Sequence, residues 1–329
     1  MSAPLIPAVH AAPMAAAADA TSAASAATFP TLPLSAQDKA RLAKIRYVMT
    51  DLDGTMLTGA SAVQNSSKLL SAQLIQTLID LRNADIEVVP VSGRNRAMTF
   101  EDARLLSFNA WIAEMGGLIC TKSGSQPEWT YFTGDMPYNH ESLKTPHDLI
   151  CETGIVDELI ARYPGQLETY HDNYVGFEYR EVSVALRGSV EAATVQALLD
   201  TCPLPLYLAD NGLVKRMNGT TTLQNVDMIH PQGIHTYHIM PRGLTKGSGI
   251  AQFAKLMHVE KDQMLAAGDS PADCEMADYV GTFLFMKNGF EHNDAAVELA
   301  KHPNAYVSRY PSTDGWCEAM QTLLAAHGR

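Results

Sequence analysis

Residues Tyr47 to Thr58, YVMTDLDGTMLT, constrain the chain most. A short apolar run, Tyr47-Val48-Met49, ends in Thr50-Asp51-Leu52-Asp53-Gly54-Thr55. This reads as a buried strand entering a glycine-bearing loop with two carboxylates at its carboxyl end. In extended backbone, positions i and i+2 share a side, so Asp51 and Asp53 are expected to project together. Two carboxylates that close repel, and burying them requires a cation or a shared proton.

The chemistry this points to is phosphoryl transfer through an aspartyl-phosphate. Asp51 is the expected nucleophile, kept ionised by a divalent metal, and Asp53 the group that protonates the leaving oxygen and then activates water. The competing readings are an ordinary Asp-x-Asp-Gly turn and a calcium loop. An EF-hand loop would continue with acidic ligands to a Glu at its twelfth position. Thr55-Met56-Leu57-Thr58-Gly59 supplies none.

The chain has 329 residues and a net charge of −12. That length holds one large or two moderate domains. The acidity disfavours a nucleic-acid binder, which needs basic surface to replace counterions. It leaves room for an anionic substrate, because a metal and a few local cations set the field in a pocket. Cys120, Cys151, Cys202, Cys274 and Cys317 are odd in number, dispersed and without a CxxC pair. No disulfide framework or zinc knuckle is expected, and a reducing, cytoplasmic setting fits best. No run is apolar and long enough to span a bilayer.

Residues 1–40 are read as a flexible tail, because Ala, Ser and Pro with almost no charge bury too little surface to offset ordering entropy. A signal peptide fits poorly, lacking a basic start and a compact leucine-rich stretch. Ser67 to Arg82 carries Leu70, Leu74, Ile75, Leu78 and Leu81 at helical spacing. Ile86 to Val91 is then a strand ending at Ser92-Gly93-Arg94. Strand, helix, strand at this spacing makes a parallel βαβ unit, which brings Ser92 to the same edge as Asp51. A hydroxyl followed by Gly93 and helix-opening amides suits a phosphoryl oxygen, although Ser is equally a favoured helix cap.

Residues 119–240 change texture, with most of the aromatics and alternating stretches such as Tyr179 to Arg187, and read as a separate α+β insert. His171, Tyr174, Glu178, Tyr179, Arg180 and Arg187 are its polar and aromatic candidates for reading a substrate. His230, His235 and His238 invite a metal reading, but residues three apart in a strand face opposite ways and no zinc spacing supports it. From Pro241 the parallel-sheet texture returns. Lys246 opens a helix, against the macrodipole preference, which makes sense if its ammonium reaches an anion. Met264 to Ala267 is a strand ending in Gly268-Asp269-Ser270-Pro271-Ala272-Asp273, an oxygen-rich loop of the kind magnesium prefers.

DLDGT, a strand ending in Ser92, a lysine opening a helix and GDSPAD occur in one order. Together they resemble the haloacid dehalogenase-like hydrolases, and within them subfamily IIB, the Cof-type and sugar-phosphatase group. IMPRGLTKGSGI resembles that group's return from cap to core, EMGG its ENGG turn, and Thr313-Asp314-Gly315 its late DG element. The resemblance covers about residues 45 to 320. It implies an α/β fold: a Rossmann-like parallel-sheet core, residues 41–118 and 241–329, with an inserted α+β cap, residues 119–240. It implies Asp51 as nucleophile and Asp53 as acid/base. Asp51, the Asp53 carbonyl and Asp269 would bind Mg²⁺ with support from Asp273, while Ser92, Gly93 and Lys246 would hold the phosphoryl group.

Two positions depart from the pattern. Ala272 stands where Asn usually precedes the last Asp, and Met115 where ENGG has Asn. Both point to altered specificity or lower activity. The expected activity is a Mg²⁺-dependent phosphatase acting on a small phosphate monoester, a sugar phosphate or phosphorylated sugar acid. A phosphomannomutase-like transferase and a catalytically silent metabolite binder are the alternatives. A receiver-type phospho-acceptor domain needs neither Asp53 nor the insert.

Overall fold

A computed structural model describes residues 36–123, 126–170, 179–213, 221–224, 233–292 and 295–329. Most of the tail and the candidates His171, Tyr174, Glu178 and His230 lie outside the described residues.

The central sheet is parallel, in the order β12 (Ala305–Val307), β11 (Thr282–Phe285), β10 (Met264–Gly268), β1 (Tyr47–Thr50) and β2 (Glu87–Pro90). Its strands read as continuous apolar runs because both faces are covered. On one face Val48, Val88, Leu265 and Leu284 meet Leu74 and Leu81 of α2 (Gln73–Asn83) and Trp316, Met320 and Leu323 of a C-terminal helix, Ser312–Ala326. On the other, Met49, Val89, Ala266 and Phe283 meet Ile250 and Phe253 of the helix Lys246–Met257, and Cys274 and Met276 of the 3-10 segment Pro271–Tyr279. The βαβ expectation holds: β1 and β2 pair in parallel, Tyr47 with Glu87 through Thr50 with Pro90.

The first helix is shorter than its apolar spacing predicts. α2 starts at Gln73, and Leu70 lies outside it, 85% exposed. The Asn65 side chain accepts hydrogen bonds from Ser67 N and Leu69 N, and Lys68 takes a left-handed φ of 62°. That local turn competes with the helix and wins. α3 (Arg96–Leu106) follows β2 and leads to β3 (Ala110–Ala113), which touches the end of β2 through a parallel Val91–Ile112 bridge. Two more strands, β4 (Leu118–Ser123) and β5 (Gln126–Tyr131), fold back antiparallel on β3.

A second, antiparallel sheet has the order β6 (Leu167–Thr169), β7 (Val184–Gly188), β9 (His235–Pro241), β8 (Leu206–Leu213). One face packs Val184, Leu186, Tyr237 and Ile239 on α4 (Pro146–Glu152), α5 (Ile155–Arg162) and α6 (Ala192–Leu199), a core of its own. A smaller apolar cluster joins the two halves: Ala113, Met115, Leu118 and Leu244 from the first, Val182 and Met240 from the second. The helix Lys246–Met257, here α7, then returns the chain to β10. The remaining helices are α1 (Ala36–Leu42), which leads into β1, α8 (Lys287–His292), α9 (Ala295–Leu299) and α10 (Ser312–Ala326). No helix among the described residues is long and apolar enough to cross a membrane.

Candidate active site

Three adjacent parallel strands place the site. β10, β1 and β2 all point their carboxyl ends to one edge, and there Asp269, Asp51 and Ser92 follow them. Crevices at this edge are where open α/β sheets bind ligands.

Asp51 is buried, 6% exposed. Its Oδ1 accepts from Lys246 Nζ at 2.7 Å, and the same ammonium donates to Asp273 Oδ1 at 2.6 Å. Lys246 is the first residue of α7 and 4% exposed, so it is no solvated surface lysine. Burial works against its charge, but Asp273 and Asp51 outweigh that and raise its pKa above the ordinary lysine range. Burial, with Asp273 and Asp269 adding to it against Lys246, pushes the Asp51 carboxyl up to about 7. One lysine among three carboxylates leaves the site short of positive charge.

Asp51, Asp269 and Asp273 each bring an oxygen within 4.8 Å of the others. This all-oxygen set fits Mg²⁺, which takes carboxylates and keeps waters. Asp269 is held in place by Thr55 Oγ1, donating to Oδ1 at 3.0 Å, and by Asn288 Nδ2, donating to Oδ2 at 3.1 Å. Gly54, at φ +89°, passes so close that a Cβ would lie 2.3 Å from Asp269 Oδ2. Asp273 is fully buried, and its Oδ2 accepts from Asp269 N, Ser270 N and Ser270 Oγ at 2.8 to 3.1 Å. Its oxygens are thus already engaged, which suits a supporting position. Glu275 is exposed on the 3-10 segment.

Asp53 lies elsewhere. β1 ends at Thr50, so the two-residue alternation does not carry through to Asp53. Its side chain is 52% exposed and lies outside the acidic cluster. Arg94 clamps it, Nε to Oδ2 at 2.8 Å and Nη2 to Oδ1 at 2.6 Å, while Nη1 donates to Asp102 Oδ2 at 2.7 Å. Two carboxylates outweigh the burial of Arg94 and hold its guanidinium firmly charged.

Ser92 is buried and does not cap α3; Asn95 does, its side chain accepting from Met98 N at 3.0 Å. Ser92 Oγ accepts a long 3.2 Å contact from Arg94 N. Above Gly93 there is little room: a Cβ would stand 3.2 Å from Met115 Sδ and 3.5 Å from Asn211 Nδ2.

Several contributors were not legible as site residues. Asn288 reads as a turn residue, yet it ties Asp269 to Gly54 O and accepts Ser312 N through Oδ1. Gly289 follows because a Cβ there would meet Asp269 O at 1.9 Å. Glu114, at the end of β3, is fully buried and accepts from Glu181 N, Val182 N and Ser183 N at 2.8 to 3.1 Å and from Ser183 Oγ at 3.2 Å. Arg180 reaches in, donating through Nη2 to Gly93 O at 2.9 Å. Of the other insert candidates, Tyr179 is exposed and Arg187 is buried against Glu168 at 2.5 Å. His235 pairs with Asp210 at 2.7 Å, and His238 lies on the opposite face of β9. Met115 and Ala272, the two departures, share the apolar cluster between the halves.

Comparison with known proteins gives one family. Residues 48–306 match the family described as haloacid dehalogenase-like hydrolase. The phosphoglycolate phosphatase of Methanoculleus marisnigri is 22% identical over 277 residues, 84% of this chain and 96% of that protein. That of Methanothrix thermoacetophila is 22% identical over 282 residues, covering 86% and 98%. Among solved structures, Thermoplasma acidophilum 0175 aligns with a TM-score of 0.57 at 16% identity, over 85% of this chain and 98% of that one. The sucrose-phosphatase of Synechocystis sp. PCC6803, solved with sucrose and phosphate, aligns with a TM-score of 0.54 at 13% identity, over 84% and 97%.

Proposed function

The chain belongs to the haloacid dehalogenase-like hydrolases, and from that premise we propose a Mg²⁺-dependent phosphatase for a small phosphate monoester, a sugar phosphate or phosphorylated sugar acid. The observation that carries this is the buried Asp51, held by Lys246 beside Asp269 at the shared edge of β10, β1 and β2. The relatives' activity supports the reaction class.

Asp51, Asp269 and the Asp53 carbonyl would hold Mg²⁺, with Asp273 behind them. Bound there, the ion neutralises charge on the phosphoryl oxygens and keeps Asp51 ionised. Lys246, Ser92 and the Gly93 amide bind and orient the phosphoryl group. An Asp51 oxygen attacks phosphorus, the bond to the ester oxygen breaks, and Asp53 delivers its proton to the departing alkoxide. Asp53 then takes a proton from water, whose oxygen attacks the aspartyl-phosphate and releases phosphate. For both steps the Asp53 carboxyl turns from Arg94 toward the reacting oxygen.

The insert, residues 119–240, serves as the cap that excludes water and selects the substrate. Its own sheet and core support this from Met136 onward. Because β4 and β5 pair with β3, we group residues up to Tyr131 with the core. Five free cysteines and a charge of −12 fit a cytoplasmic enzyme without nucleic-acid or membrane partners. The test is phosphate release from a panel of monoesters, with Mg²⁺ and with EDTA, beside Asp51→Asn. Metal-dependent release lost in the variant supports the proposal; undiminished release by Asp51→Asn overturns it.

A further inference from the structure

The face of the insert sheet that looks onto the site holds a buried imidazole, His238. His238 is 3% exposed, and among the described residues its Nδ1 meets no hydrogen-bond partner. Native proteins bury few such atoms, and an orphan that persists calls for an explanation.

Three observations fix where the ring looks. Alternate residues of a strand share a face. Met240, two residues on, packs with Met115 and Leu244 of the core, so His238 faces the core as well. Its neighbours across both adjoining strands are the small residues Ala185 and Ala209. Two residues beyond Ala209, the Asn211 amide stands over Gly93. The ring is also close enough to Arg180 and Lys246 that both cations, after burial, hold it neutral. A neutral imidazole brings one N–H donor and one bare nitrogen.

Arg180 completes the place. Its side chain is 12% exposed and donates to Gly93 O and to Ser183 Oγ, each at 2.9 Å. Glu114 Oε2, 3.6 Å from Nε, is a counter-charge, and four hydrogen bonds from residues 181–183 already share that carboxylate. Lys246 is committed to Asp51 and Asp273, so among the described residues Arg180 is a cation placed to face the non-phosphate end of a substrate.

We propose that His238 and Arg180 form a subsite for a carboxylate carried by the alcohol of the phosphate monoester, which makes a small phosphorylated hydroxy acid the substrate class. A planar carboxylate matches a guanidinium edge and accepts from an imidazole N–H, and its charge balances a buried cation. This rests on the phosphatase reading for the position of the phosphate, and its test is separate from that reading.

Calorimetry with two phosphonates decides it, because neither has a bond the proposed hydrolysis would break. Phosphonoacetate carries a carboxylate; methylphosphonate does not. Both are titrated with Mg²⁺ into the full-length protein and into His238→Leu, His238→Asn and Arg180→Lys, after thermal melts establish that each variant folds. The wild type should bind phosphonoacetate about tenfold or more tightly than methylphosphonate. That ratio should collapse toward one in His238→Leu, be partly kept by His238→Asn, which retains a donor, and fall in Arg180→Lys. Equal affinities in the wild type, or a preference that survives His238→Leu, overturn the subsite; should the leucine variant not fold, a full preference in His238→Asn and Arg180→Lys does so. Failure of the phosphatase reading looks different: no phosphate from any monoester, with the preference for phosphonoacetate intact.

Discussion

Asp51 is where the local physics is least comfortable. Burial and two neighbouring carboxylates raise it to about 7, and one lysine opposes them. The sign follows directly. A raised carboxyl is protonated below that value, a cation bound there would need it ionised, and protons would then compete with Mg²⁺. Mg²⁺ affinity measured by calorimetry should therefore fall as pH drops from 8 to 6, approaching about tenfold per unit below 7. An affinity flat across that range would mean Asp51 is not a ligand. The same residue scale separates Asp51 from Asp53. The DLDG pattern made both acids visible, but not that the strand stops at Thr50 and turns Asp53 toward Arg94. That clamp depends on α3 lying where it does, a tertiary fact without a local signature. Arg94→Gln keeps the fold's apolar contacts but releases Asp53 and leaves Asp102 half-buried without its cation. Because Asp53 must leave Arg94 for both proton transfers, we expect kcat to rise by about twofold or more with KM less affected. Steady-state kinetics on the best monoester measure this, and an unchanged kcat would show that the clamp is incidental to turnover.

Elements were legible where the period was clean and one residue ended them. β1, β2 and β10 are apolar runs stopped by Asp51, Ser92 and Asp269, so their parallel pairing brought the right residues to one edge. α2 was misread at its start because Leu70 keeps helical spacing while Asn65 satisfies the backbone in a turn. The connection between the two halves was not legible at all. Glu114 looks like a strand end, yet its carboxylate receives three consecutive amides of residues 181–183 across the junction. Such pairs are set by how elements meet, and neither segment announces the other. Glu114→Ala should leave those amides and Arg180 without their acceptor. Losing one partner of a buried, charge-assisted network costs about 3–5 kcal/mol, which urea denaturation would read as a clear drop in midpoint. The change should also lower kcat/KM, because Arg180 would no longer be held against Gly93. A loss of stability within about 0.5 kcal/mol would show that the contacts are replaceable by water.

At the scale of the whole molecule, the site is assembled from segments far apart in the chain and roofed by a second unit with its own core. The core supplies Asp51, Ser92, Lys246 and Asp269; the roof reaches the same edge at Gly93 through Arg180 and Asn211 and rests on the apolar cluster of Met115, Leu244, Val182 and Met240. An apolar seam joined to a buried carboxylate favours one seated arrangement over a freely swinging lid, because opening would expose both at once. Ligand binding should therefore tighten the seam without reorganising the roof. Hydrogen exchange with Mg²⁺ and beryllium fluoride, which mimics phosphate on an aspartate, gives the reading. Exchange should slow at the ends of β1, β2 and β10 and at the amides of residues 181–183. It should stay nearly constant in α4, α5 and α6, whose protection comes from the separate core of Leu159, Leu186 and Ile239. Slowing spread through those helices would mean that the roof repacks on binding, and the seam would then be a hinge rather than a seat.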